Sequence, residues 1–384
     1  MFASAILSLE LQNVGLTINN QVYLKDINLC FASGAFNVLL GRTLAGKTSL
    51  MRAIAGLEKL TSGKILLNGE DITHKAIQKR NVSMVYQQFI NYPHFTVWEN
   101  IASPLKLAKL SSSEIKRRVN EIAELLHISP YLQRQPLALS GGQQQRCAMA
   151  RALVKDSQLI LFDEPLVNLD YKLRETLRFE LKALFKQRNS IAIYATTEAH
   201  EALALGGSTT LLHEGTVIQS GDALRQYYQP ANLNAANLYH EPPMNQFDMQ
   251  AFAQKLKVAD QDVYIKSGRL ANVGDGLYHC AIRPDQVYLA STHLPEICVH
   301  AKVDLAEIST SETYLHVSVQ DPSIHHRNWV VHMRGIHHFS NDQAVKLYIA
   351  LQDIYVFDQS GSAVSWPLHA SSSTHVSSKK TQVG

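Results

Sequence analysis

At 384 residues the chain is long enough for two or three domains, each burying its own core. A hydrophobic share of 46% beside 18% charged residues describes a globular chain and excludes a disordered one. The formal net charge of +3 is too small to argue for nucleic acid. No run approaches the roughly 18 apolar residues that a membrane-spanning helix needs. The opening Met1-Phe2-Ala3-Ser4-Ala5-Ile6-Leu7 has no positive flank and too short an apolar run for a signal peptide. Cys30, Cys147, Cys280 and Cys298 are scattered without metal spacing and read as reduced thiols. These features place the chain in the cytosol.

Along the chain, the first informative element is a strand, Phe36-Asn37-Val38-Leu39-Leu40. It feeds Gly41-Arg42-Thr43-Leu44-Ala45-Gly46-Lys47-Thr48, and a helical stretch runs on from Thr48 through Ser49 to Gly56. Strand, glycine loop and helix in this order form a phosphate loop. Gly41 and Gly46 let the backbone wrap phosphates, and the helix N-terminus adds positive potential. Lys47 is placed for the β- and γ-phosphates, and the Thr48 hydroxyl for Mg²⁺. A glycine turn without a ligand is the plain alternative.

Further on, Ser113 to Val119 has helical spacing. Leu139-Ser140-Gly141-Gly142-Gln143 opens the helix through Arg151, with Ser140 as N-cap and two glycines allowing close approach to a ligand. Gly-Gly behind a cap weakens a helix that gains nothing from it, which argues against a merely capped surface helix. The strand Leu159-Ile160-Leu161-Phe162 ends in Asp163-Glu164. There Asp163 can hold Mg²⁺ through water and Glu164 can orient and deprotonate an attacking water, or the pair can cap the next helix. Strands alternating with helices to about Tyr239 imply a parallel α/β sheet with crossover helices. His240-Glu241-Pro242-Pro243-Met244-Asn245 breaks that pattern. Short alternating runs follow, such as Thr313 to Val319 and Ala344 to Ala350, and read as a small all-β barrel. The expected organisation is a first domain over 1–239, a linker at 240–246, a barrel over 247–368 and a serine-rich disordered tail over 369–384.

The phosphate loop, Leu139–Gln143 and Asp163-Glu164 together resemble the ATP-binding-cassette ATPases, from near residue 9 to near residue 360. The resemblance implies a P-loop ATPase with a RecA-like core and a helical subdomain, using ATP and Mg²⁺, followed by an OB-like β-barrel. It implies that Ser140, Gly141, Gly142 and Gln143 face the γ-phosphate held by a partner subunit. Asn168-Leu169-Asp170 then belongs to the loop that crosses to that partner. Gln87 matches a glutamine that touches both Mg²⁺ and the segment facing the permease. Asn91-Tyr92-Pro93-His94-Phe95-Thr96-Val97-Trp98-Glu99-Asn100-Ile101 resembles importers of the maltose and glycerol-3-phosphate type, whose permeases dock a helix there. From sequence alone, Tyr92 and Phe95 serve docking or the core equally well. Cys280-Ala281-Ile282-Arg283-Pro284-Asp285 and Glu307 to Thr313 resemble segments of the barrel in carbohydrate-importer ATPases, where it dimerises and binds regulators.

Three positions depart from the family pattern. Thr197, after Ile193-Tyr194-Ala195-Thr196, stands where a histidine contacts the γ-phosphate. It donates one hydrogen bond but is shorter and never cationic. Either Thr197 takes over that role or a partner supplies the imidazole; His200, on the following helix, is a poor substitute. Ile18 replaces an aromatic that stacks on adenine, and Tyr23 lies five residues later. Arg42 and Leu44 stand where Pro and Gly are usual; Arg42 can add a phosphate contact, and Leu44 calls for a backbone that an ordinary residue adopts.

The expected assembly is a peripheral complex at the cytoplasmic face of the membrane. It holds two permease subunits, a second ATPase subunit in a heterodimer rather than a homodimer, and an external substrate-binding protein acting indirectly. A soluble cassette ATPase without a transport role and a catalytically weak regulatory partner are the competing readings.

Overall fold

The computed structural model describes residues 7–367 apart from 35, 168, 189, 266 and 267. The expected tail and Asn168 lie outside the described residues. The chain divides into two compact units, residues 1–224 and 225–384.

The first unit opens with the antiparallel strands β1 (Ser8–Ile18) and β2 (Gln21–Ala32), joined at positive-φ Asn19 and Asn20. With β4 (Ser62–Leu67) and β5 (Glu70–Asp71) they form a four-stranded sheet in the order β2-β1-β4-β5. The second sheet contains β3 (Phe36–Leu40), β6 (Val82–Val85), β7 (Leu159–Asp163), β8 (Ile191–Thr196), β9 (Ser208–His213) and β10 (Thr216–Asp222). Its order is β10-β9-β3-β8-β7-β6, parallel except for the β10 edge. Every residue of β3, β7 and β8 is buried. Continuous apolar runs of this kind are what a parallel strand covered on both faces requires.

Helices α1 (Lys47–Ala55), α2 (Val97–Leu107), α3 (Ser112–Leu125), α4 (Gly141–Leu153), α5 (Tyr171–Gln187) and α6 (Ala199–Leu205) complete the unit. Several starts are chemically marked. Thr96 and Glu99 form a capping box on α2, Ser111 caps α3 and Asp170 caps α5. The core joins both sheets to α1 through Leu9, Leu39, Leu50, Ile54, Leu161 and Ile193.

The boundary at Leu224/Arg225 falls ahead of position 239 for a physical reason. Around α7 (Ala223–Tyr228) and α8 (Leu233–Leu238), side chains pack on the strands that follow. Leu233 and Ala236 join Met244, Ala281, Tyr355 and Phe357 in one apolar cluster. Arg283, 5% exposed, donates to the Tyr227 carbonyl at 3.1 Å and to the Tyr355 hydroxyl at 2.5 Å, with its guanidinium 4.0 Å from the Tyr227 ring centre. His240 packs beside the same ring, 5.2 Å between centres.

Burial and the charge of Arg283 hold the His240 imidazole down to about 3. The folded chain therefore refuses a proton that the unfolded chain accepts below about pH 6.5. Stability contributed at neutral pH is lost as pH falls from about 6.5 towards 3. Between pH 6.5 and 5.5 the denaturation midpoint should drop, by up to about 1 kcal/mol per pH unit, and His240→Phe should flatten that drop.

Among the described residues the second unit holds eleven strands. β11 (Asn245–Phe252), β12 (Lys255–Val258), β13 (Gln261–Tyr264), β14 (Gly276–Ile282), β20 (Tyr355–Phe357) and β21 (Ala363–Ser365) form a sheet in the order β13-β12-β11-β14-β20-β21. β15 (Val287–Tyr288), β16 (Glu296–Ser309), β17 (Glu312–Val319), β18 (Asn328–Arg334) and β19 (Ala344–Ala350) form the other, in the order β15-β19-β16-β17-β18. This antiparallel sheet curls until β18 returns against β15 and the turn at 284–286, a nearly closed OB-like barrel. Trp329, 1% exposed, packs on Phe247 of the other sheet, and its indole N–H donates to the His326 carbonyl at 2.8 Å. The sequence reading anticipated the barrel but not the six-stranded sheet beside it.

Candidate active site

Strand register brings the candidate residues together. Leu40 of β3 lies opposite Thr196 of β8, and Asp163 of β7 lies opposite Ala195. Gly41, Glu164 and Thr197 therefore leave neighbouring strands at one edge, the C-terminal edge where parallel sheets bind ligands. Backbone bonds fasten that edge, with Gly41 N donating to Thr196 O at 3.3 Å and Glu164 N to Ala195 O at 3.1 Å.

The loop from Gly41 to Gly46 is built with little steric freedom. A Cβ on Gly41 would lie 2.6 Å from Leu212 O and 2.9 Å from the Ala45 Cβ. Gly46 has φ 101°, and a Cβ there would lie 3.1 Å from Tyr23 O. Gly41→Ala should therefore shift the loop and weaken nucleotide affinity by about tenfold or more, measured by equilibrium titration.

Leu44 corrects the sequence reading. Its φ is 68°, in the left-handed region, because Ala45 N closes a turn onto Arg42 O at 3.1 Å. An ordinary residue pays about 1 kcal/mol there, and glycine avoids that strain. Leu44 is also 95% exposed, so no packing offsets it. Arg42 and Thr43 are exposed beside it, and Ser49 is half-buried behind Thr48.

Lys47 is 4% exposed. Its ammonium donates to Gly41 O at 2.7 Å and Arg42 O at 3.2 Å, and lies 3.4 Å from a Glu164 oxygen. Burial lowers its pKa, while Glu164 and Asp163 act the other way. The Thr48 hydroxyl donates to Asp163 Oδ1 at 3.1 Å. Asp163 is 2% exposed; burial raises its carboxyl pKa and the Thr48 bond partly offsets the rise. Gln87 Nε2 donates to the other Glu164 oxygen at 3.0 Å. Glu164 itself has φ 49°, a strained conformation of the kind concentrated at functional sites. The alternative that Asp163-Glu164 caps the next helix fails, because Asp170 caps α5 by accepting from Leu173 N at 3.0 Å.

Thr197 is half-buried beside this cluster. The preceding Thr196 donates its hydroxyl to Glu201 Oε2 at 2.6 Å, and the Tyr194 hydroxyl reaches the same oxygen at 3.1 Å. Glu201 is 4% exposed, with Arg178 3.8 Å away, so a buried polar network supports the end of β8. Sequence reasoning missed Glu201; its one signal is an acid among alanines directly behind the strand. His200 is 55% exposed and lies 3.3 Å from Glu198, which also pairs with Arg174.

Ser140 and Gln143 close a capping box on α4: Gln143 N donates to the serine oxygen and Ser140 N to Gln143 Oε1 at 3.0 Å. A Cβ on exposed Gly141 would meet only the Phe89 ring at 3.9 Å, so nothing inside the described chain requires glycine there. Ile18 is half-buried against the core together with Tyr23, and the Tyr23 hydroxyl donates to Gln21 at 3.2 Å. Tyr92 and Phe95 are 49% and 43% exposed with rings 5.3 Å apart, and the Arg151 guanidinium lies 4.8 Å from the Tyr92 ring centre. With Pro104, Leu107 and Lys155 they line a groove of about 520 Å³, so neither serves the core.

Comparison with known proteins agrees with this geometry. A sequence profile described as ABC transporter matches residues 24–167. The sn-glycerol-3-phosphate import ATP-binding protein UgpC 3 of Rhizobium etli is 34% identical over 334 residues, 87% of this chain and 92% of that protein. The maltose/maltodextrin import ATP-binding protein MalK of Mannheimia succiniciproducens is 33% identical over 93% of this chain and 97% of its own length. Among solved structures, the ATP-binding cassette MJ0796, a dimer in a post-hydrolysis state with ADP and Pi, superposes with a TM-score of 0.52. It is 28% identical and covers 56% of this chain and 98% of its own. The chain belongs to the ABC transporter family, as an ATP-binding and ATP-hydrolysing subunit of the import type.

Proposed function

We propose that this subunit powers import of a small polyol or sugar (glycerol, glycerol-3-phosphate or a carbohydrate) by closing around ATP against a second, different ATPase subunit. The observation that carries the reading is the convergence of Lys47, Thr48, Asp163, Glu164 and Gln87 on one sheet edge, with Thr197 rather than an imidazole beside them. The glycerol-3-phosphate and maltodextrin relatives support the substrate class.

In this mechanism the loop N–H groups and Lys47 hold the phosphates. Glu164, oriented by Gln87, takes a proton from the water whose oxygen attacks the γ-phosphorus, while the bond to the β-phosphate oxygen breaks. Thr48 and Asp163 suit Mg²⁺ as a hard-oxygen pair. No cluster of three or more His, Cys, Asp or Glu able to hold a metal occurs among the described residues, which fits a cation completed by phosphate and water oxygens. Mg²⁺ bound there would neutralise charge on those phosphate oxygens.

Ser140, Gly141 and Gly142 present an exposed helix end to the γ-phosphate on the partner, while Asp170 holds the neighbouring loop at the start of α5. Because Thr197 lacks the imidazole, the site on this chain's phosphate loop is the slow one, and the site completed by Ser140–Gln143 is the fast one.

In this reading the aromatic groove at Tyr92 and Phe95 receives a cytoplasmic helix of one of two permeases, and the subunit sits at the cytoplasmic face of the membrane. Among the described residues no helix is long and apolar enough to cross a membrane. An external binding protein feeds the permeases. Gentle extraction of membranes carrying the tagged chain should co-purify two permeases and a second cassette ATPase. Permeases with this chain alone would replace the asymmetric pair by a homodimer, and no membrane partner would overturn the import reading.

A further inference from the structure

The second unit contains a cavity of about 550 Å³ that the ATP chemistry does not use. Ile265, Leu270 and Leu351, all under 9% exposed, form apolar wall, while Tyr264 and Leu294 stand at its exposed rim. That volume falls in the range of small-molecule sites and is far above the space of one or two waters.

Among the described residues one cation lines this cavity. Arg269 donates to Ser365 Oγ at 3.0 Å and to the carbonyls of Leu351 at 3.1 Å, Gln352 at 3.0 Å and Ile354. All of these acceptors are neutral, and among the described residues no carboxylate comes within ion-pair distance. The Arg269 Nε is buried with no hydrogen-bond partner. Burial lowers the guanidinium pKa to about 10, so it stays charged at neutral pH. A half-buried charge held rigidly by neutral groups keeps an attraction for an anion that enters the cavity.

We propose that this cavity is a binding site for a small organic anion with an apolar body and a single carboxylate, which pairs with Arg269. The clamp on residues 351–354 fixes the guanidinium in advance, so little side-chain entropy is lost on binding. Asp353 lines the same cavity and itself attracts Arg269, so it opposes any anion there and a dianion most. The walls select the apolar body and Arg269 selects the charge.

Calorimetric titration of the full chain with octanoate, and with octanol as its neutral counterpart, tests the assignment. Octanoate should bind saturably at one site, and octanol at least about tenfold more weakly. Arg269→Gln should erase that preference. Because Arg269 also clamps the chain, Leu294→Trp provides a second test, filling the mouth from an exposed position. It should abolish octanoate binding with ATP affinity unchanged. Equal affinity for octanol, binding that survives Leu294→Trp, or no saturable heat up to about 10 mM would each overturn the proposal.

Discussion

Replacing Glu164 by glutamine should lower ATP turnover at the site on this chain's phosphate loop by roughly 10²–10⁴-fold while leaving ATP-driven association of subunits intact. The glutamine has the same shape and still reaches Gln87, but it cannot take a proton from water. The ion pair between Glu164 and Lys47, 3.4 Å apart, would be lost, which frees the ammonium for phosphate. Affinity for ATP should therefore hold or rise. The slow phase of phosphate release in single-turnover measurements on the assembled complex measures the first effect, and sedimentation with and without ATP measures the second. An unchanged slow phase would remove Glu164 from the base role. Loss of both turnover and association would mean that the residue supports the fold of the loop instead.

Thr197→His should raise turnover, on the order of tenfold. Thr197 follows directly on the register pair Leu40–Thr196, so an imidazole there would stand next to Gly41, where the phosphate loop begins. The buried bonds of Thr196, Tyr194 and Glu201 belong to the strand and network behind it, and the substitution leaves them in place. Single-turnover measurements on the assembled complex separate the two sites: the slow phase should accelerate and the fast phase should not. An unchanged slow phase would show that threonine already carries the contact, and the argument for an asymmetric pair would go with it.

Much of the nucleotide site was legible in the amino-acid sequence because its chemistry is local. Gly41 to Thr48 is one turn between a strand and a helix, and Ser140 with Gln143 is a capping box three residues apart. Both features depend on spacing along the chain, and so does the break at the paired prolines. Leu44 was misread because a positive φ is a property of the closed turn, not of the residue type found there.

The sequence by itself determined the element types of the first unit, the strand–loop–helix around Gly41–Thr48, the capped helix start at Ser140 and the family. Each follows from short-range periodicity, turn chemistry and capping. Only the tertiary structure decided what depends on strand register and long-range burial. Glu164 between Lys47 and Gln87, and Glu201 beneath Thr196, meet across different strands and helices. Residues 225–239 pack with the second unit because their apolar side chains meet Ala281 and Tyr355. Arg269 is clamped by neutral carbonyls only because the chain returns at residues 351–354 beside it, and no local pattern encodes that closure.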